Sequence, residues 1–138
     1  MPQKINIKSL ARDLKEAFPE ILFAFLFGSS KTGIAETGSD IDLAVYFSKN
    51  TSINNLIPSI MELFDSVAPG IRCDITILNT AGPLIAHEAL RGTELFIRDD
   101  EMDIYVEYYS LTCRLYEEQI WWMKKQLEYR GYEIQWNY

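Results

Sequence analysis

Cysteine, histidine and positive charge are scarce in this chain, and each scarcity excludes something. Two cysteines, Cys73 and Cys113, and one histidine, His87, in 138 residues cannot supply the closely spaced ligand set of a zinc site. One cysteine falls in an expected strand and the other in an expected helix, so both read as buried, reduced thiols rather than as a disulfide. Lys and Arg number 13 against 20 Asp and Glu, a net charge of −7. That is the wrong sign for a broad nucleic-acid footprint, and direct nucleic-acid binding is not expected. The same charge draws in no polyphosphate, so local metal ions would have to attract one. The longest apolar run, Ile21 to Phe27, is far too short to cross a bilayer. The amino-terminal MPQKINIKSLARDL has no apolar stretch of the kind a secretion signal needs. No membrane association is expected, and a soluble, cytoplasmic protein is. There is no internal repeat, low-complexity tract, linker or P-loop lysine-serine motif, and a chain of this length makes one domain over 1–138.

What is present concentrates between Phe23 and Tyr46, FAFLFGSSKTGIAETGSDIDLAVY. An apolar run closes on Gly28-Ser29, a pair that lets backbone and hydroxyl approach a phosphate, because glycine has no Cβ in the way. Ser30 is placed to cap a brief helix whose amides face the same phosphates. Gly38-Ser39 turns the chain into Asp40-Ile41-Asp42, the start of a second apolar run. In a strand, Asp40 and Asp42 leave the same face, with Ala44 and Tyr46 below them and Ile41, Leu43 and Val45 on the other side. Two strand residues span roughly 6.6 Å, and paired Mg²⁺ ions sit about 3.5–4 Å apart, so two carboxylates leaning inward can hold such a pair. The stretch suits a nucleoside triphosphate.

The surrounding segments alternate between helix and strand. Ile7, Leu10, Ala11, Leu14, Ala17 and Phe18 have amphipathic spacing, and Pro19 ends that helix. The uninterrupted run Ile21 to Phe27 predicts a strand covered on both faces. Leu56, Ile57, Ile60, Met61, Leu63, Phe64 and Val67 predict a second helix, with Pro58 expected in its first turn. After the Pro69-Gly70 turn, Arg72 to Leu78 alternates, with Cys73, Ile75 and Ile77 on one face and Arg72, Asp74 and Thr76 on the other. Asp74 taken alone is as well explained by a cap or surface role as by a site. Pro83 to Leu90 predicts a short helix closed by Gly92, and Glu94 to Ile97 a short, edge-type strand. His87 lies within that helix without any nucleophile or metal pattern nearby, so a solvated or packed histidine is expected.

From Asp99-Asp100 a long helix begins. Met102, Val106, Tyr109, Cys113, Tyr116, Ile120, Met123 and Leu127 form a heptad stripe expected to face the core. Tyr105, Tyr108, Leu111, Leu115 and Trp122 lie off it, and Tyr132, Trp136 and Tyr138 follow. A helix apolar over more than one face needs two partners. A second chain or further internal packing would each satisfy it.

Gly28-Ser29, ten residues, then Asp40-x-Asp42 resembles the signature of the DNA polymerase β-like nucleotidyltransferases. The short length is similar to the minimal nucleotidyltransferase (MNT) branch, whose members are often antitoxins of HEPN ribonuclease toxins. The likeness covers about 21–97. It implies an α/β (in some schemes α+β) palm, a small mixed sheet flanked by helices, with the core at about 7–97 and a long C-terminal helix and tail at about 99–138. It implies nucleotide contacts at Gly28, Ser29, Ser30 and Lys31, although Lys31 stands one position earlier than the basic residue of many relatives. It makes Asp74 the third carboxylate, so that Asp40, Asp42 and Asp74 are catalytic and hold Mg²⁺, with two ions expected. It further implies an antitoxin that transfers AMP from ATP to a tyrosine of a HEPN toxin partner. A toxin-covering protein without chemistry and an aminoglycoside-type nucleotidyltransferase are the alternatives. The second of these would need an acceptor cleft, or a homodimer to build one.

Overall fold

The computed structural model describes residues 3–28, 34–35 and 40–131. Asn6 starts α1 (Ile7–Ala17) by accepting the Ser9 backbone N–H on its side-chain oxygen at 3.0 Å, the ordinary way to satisfy a helix's first free donors. Leu10 and Leu14 turn inward, and α1 stops before Pro19 as expected. The chain continues through β2 (Ile21–Phe27), β3 (Ile34–Ala35), β4 (Asp40–Phe47), α2 (Ile53–Val67), β5 (Arg72–Ile77), α3 (Pro83–Leu90) and β6 (Thr93–Ile97). A 3₁₀ turn at Asp99–Glu101 leads into α4 (Met102–Tyr129). A two-residue β1 (Gln3–Lys4) pairs with β3.

The main sheet has the order β5-β4-β2-β6; β4 and β5 are parallel and the other neighbours antiparallel. It is therefore a mixed sheet, and β6 is an edge strand. Every residue of β2 is buried, which explains its lack of polar alternation. One face packs Ile41, Leu43, Val45 and Phe47 against Leu10 and Leu14 of α1 and Ile60 and Phe64 of α2. The other packs Phe23, Phe25 and Ala44 against Ala86, Ala89 and Leu90 of α3 and Ile104, Tyr105 and Tyr108 of α4. Both acids of β4 lie on this second face.

Two side chains close the framework. Arg98 donates to the carbonyls of Ile21 (2.7 Å), Lys15 (2.7 Å) and Phe18 (3.0 Å), tying the end of α1 to β2 and β6. Asn79 pairs with both the N–H and the carbonyl of Phe47, each at 2.8 Å, and so extends the parallel ladder by side chain where β5 has ended.

Two expectations need correction. Helix α2 begins at Ile53, so Pro58 sits inside the helix rather than in its first turn. It is tolerated because Pro58 and Asn54 are on the exposed side, where water can take the carbonyl that proline leaves without a donor. The heptad stripe of α4 faces inward only from Cys113 onward. Before that, Met102, Val106 and Tyr109 are among the exposed residues, while Ile104, Tyr105, Tyr108 and buried Thr112 face the sheet. The inward line advances in steps nearer four residues than 3.5, as on a helix laid over a sheet rather than wound around another helix. The tail residues Tyr132, Trp136 and Tyr138 lie outside the described residues.

Candidate active site

The parallel register of β4 and β5 decides where the third acid goes. Asp42 is directly opposite Asp74, and Asp40 opposite Arg72. Neighbouring strands lie about 4.8 Å apart, so the α2 crossover brings Asp74 beside an acid 32 positions earlier in the chain. The carboxyl of Asp74 hydrogen-bonds to Asp40, which together with the charge of Asp40 raises its pKa; Arg72 opposes the shift. The Asp42 pKa is raised first by burial, then by Asp74, Asp40 and Glu88. Arg72 reaches Asp40 at 3.4 Å but is 80% exposed, and an exposed pair neutralises little. On the opposite face of β5, burial and then the same acids push the Cys73 thiol up to about 12. Cys73 and Cys113 are both half-buried and unbridged, less enclosed than expected of core thiols.

Gly28 closes the site at the end of β2, one residue beyond the Phe27–Asp42 pairing. Its φ is +69°, and a Cβ built there would overlap the Asp42 Oδ2. The glycine therefore serves both a left-handed turn and the room for the Asp42 carboxylate. Ser29, Ser30 and Lys31, the other expected nucleotide contacts, lie outside the described residues.

The polymerase beta nucleotidyltransferase model matches residues 6–101, a span that holds all three acids and Gly28. The chain belongs to that family. Solved structures show the same fold. A variant of the toxin–antitoxin pair MntA–HepT aligns with a TM-score of 0.67 at 18% identity, covering 90% of this chain and 94% of that one. A toxin–antitoxin structure with AMP-PNP gives 0.65 at 19% identity, covering 90% and 94%. A tri-AMPylated Shewanella oneidensis HEPN toxin in complex with its MNT antitoxin gives 0.60 at 18%, covering 89% and 90%. No protein of curated function matches significantly.

In this nucleotidyltransferase the acids are gathered on one face of the sheet. Among the described residues, no three His, Cys, Asp or Glu side chains converge into a metal cage. Their chemistry nevertheless fits a hard divalent cation. Three oxygen donors crowd one another enough to raise two pKa values, and a cation reverses that repulsion. Mg²⁺ in particular needs few protein carboxylates when substrate phosphates complete its shell.

Beside Gly28 opens a cavity of about 550 Å³, lined by Leu84, His87, Glu88, Arg91, Tyr116 and Ile120 among others. His87 is packed, as expected, with its ring parallel to Tyr116 at 3.7 Å between centroids. Burial, then Arg91, lowers its pKa, which favours the neutral ring. No signal in the sequence joins these two residues, since they lie 29 positions apart on different helices. Gly92, at the cavity floor, has no room for a Cβ against the Leu26 carbonyl.

Proposed function

We propose that this nucleotidyltransferase is an antitoxin that transfers AMP from ATP to a tyrosine hydroxyl of a cognate HEPN ribonuclease toxin and thereby silences it. The observation that carries the chemistry is the meeting of Asp40, Asp42 and Asp74 on one sheet face beside Gly28. The choice of acceptor draws support from the fold shared with toxin–antitoxin structures, one holding a tri-AMPylated HEPN toxin and another AMP-PNP.

In this reading Gly28, Ser29, Ser30 and Lys31 hold the β and γ phosphates through backbone amides, hydroxyls and one ammonium group. Asp74, which the register of β4 and β5 sets beside Asp42, takes the proton of the tyrosine hydroxyl. The phenolic oxygen forms its bond to the α-phosphorus in line with the bond to the β-phosphate, which breaks and releases pyrophosphate. Asp40, Asp42 and Asp74 would hold one or two Mg²⁺, which supply charge neutralisation on the attacking and leaving oxygens. The setting is cytoplasmic, where ATP and Mg²⁺ are both at hand.

The test is transfer of label from [α-³²P]ATP with Mg²⁺ to a HEPN protein that co-purifies with this chain. Asp40→Asn should abolish labelling, and an undiminished rate would remove Asp40 from catalysis. A second reading, neutralisation by binding alone, is favoured by the exposed Val106, Tyr109, Leu111, Leu115 and Trp122 of α4, a surface suited to covering a partner. Full protection of cells by the Asp40→Asn, Asp42→Asn double variant would select it over chemistry.

A further inference from the structure

The cavity between α3 and α4 is not accounted for by phosphate binding or by the three acids. It meets the acid cluster at two points. Gly28 lines it while giving up its Cβ space to Asp42, and Glu88 lines it while adding to the field that raises Asp42. A ligand with its phosphates at Gly28 thus has this half-open cleft as the adjoining space.

We propose that the α3–α4 cavity is the nucleoside subsite, in which the base of the nucleoside triphosphate stacks on the His87–Tyr116 pair. The inference rests on the nucleotidyl-transfer reading above and adds to it where the nucleoside lies. The volume is within the roughly 300–1,000 Å³ of small-molecule sites, enough for a base and its ribose. Leu84 and Ile120 supply apolar walls, and Tyr116 and His87 present two rings already parallel to within 6°. A third flat ring extends such a stack. Glu88 and Arg91 stand at the exposed rim, one accepting and one donating hydrogen bonds, so base edges or ribose hydroxyls of either polarity find a partner. An acceptor tyrosine side chain is the rival occupant. It is smaller than the space, and it has no triphosphate to fix it beside Gly28.

Binding of ATP and of inorganic tripolyphosphate, both with Mg²⁺, is measured by calorimetry on wild type, His87→Ala and Tyr116→Leu. The leucine variant keeps apolar bulk against α3, and thermal melts check that both variants fold. Base–aromatic stacking is strong enough that wild type should bind ATP about tenfold tighter than tripolyphosphate. Each variant should lose about tenfold for ATP and nothing for tripolyphosphate. Equal binding of the two ligands by wild type, or unchanged ATP binding by both variants, overturns the subsite. So does a rise confined to the KM for the protein acceptor, which would assign the cavity to the tyrosine. Binding of neither ligand would overturn the nucleotide reading itself, a separate failure.

Discussion

Gly28→Ala isolates the close approach on which the site's geometry depends. At φ +69° a side chain is strained in any surroundings, at about 1–2 kcal/mol for a residue with a Cβ in the left-handed region. At the chain's size that lowers the melting temperature by about 3–6 °C. The second effect is specific to this position. The new methyl would overlap Asp42 Oδ2, and a side-chain carboxylate moves more readily than a strand end. Asp42 therefore swings away from Gly28. A misplacement of about 1 Å in a catalytic group costs on the order of 10²-fold in rate. Gly28→Asn separates the two effects, because asparagine adopts the left-handed region more easily than alanine yet brings the same Cβ. Melting curves should then rank wild type, Asn and Ala in descending order, while transfer from labelled ATP falls about 100-fold in both variants. If Asn restores the rate together with the stability, strain is the whole effect and the proximity of Asp42 to Gly28 does not matter to the chemistry.

The crowding of the acids should appear in metal-free stability. An acid whose folded pKa is raised holds more protons folded than unfolded between its two pKa values, so stability falls as pH rises through that interval. In EDTA, Asp74→Asn should therefore melt above wild type at pH 7 and level with it below pH 3.8, the ordinary carboxylate value; a lower melting point at pH 7 would contradict the repulsion. Arg98→Ala removes three hydrogen bonds from a charged donor to the carbonyls of Lys15, Phe18 and Ile21 and should cost about 2–3 kcal/mol in urea unfolding, whereas no change would mean that water replaces the clamp. Tyr108→Phe deletes the bond from its hydroxyl to the Leu78 carbonyl at 2.8 Å, at about 1 kcal/mol; the same measurement tests it.

The parts of the fold that could be read beforehand are those fixed by local pattern. The uninterrupted run of β2, the alternation that puts Asp40 and Asp42 on one face, and the stop of α1 before Pro19 follow from side-chain periodicity and backbone restriction alone. The Asp42–Asp74 pairing does not, because register between distant strands is set by how the α2 crossover packs; the family resemblance marks Asp74 as the third carboxylate but gives no register. Pro58 departs from the first-turn preference because, at an exposed helix position, water reaches the Asn54 carbonyl it leaves without a donor. The heptad spacing of α4 predicts a single stripe facing the core, and Thr112 breaks the apolar pattern that would reveal the line facing inward. Arg98, Asn79 and the His87–Tyr116 stack act over 29 to 83 positions of separation, beyond the reach of any windowed pattern.

Like charges directly opposite on a sheet are destabilising, and this sheet places Asp42 against Asp74 with Asp40 hydrogen-bonded to the latter and Glu88 adding to the field. Stability alone would favour a threonine or an opposite charge at one of these positions. The fold limits the penalty by confining it to the start of β4 and to the edge strand β5, where Arg72 and water can screen it. Two positions further along the ladder the same face turns to Ala44 opposite Thr76, and the buried core begins. The cost is thus kept at the mouth, while Phe23, Phe47 and Phe64 anchor the interior. An acid cluster held against its own repulsion at a strand end, beside a glycine that leaves it room, is consistent with a role that needs the charge. A bound cation would turn the same crowding into affinity, which ties the metal-free instability and the transfer chemistry to one set of side chains.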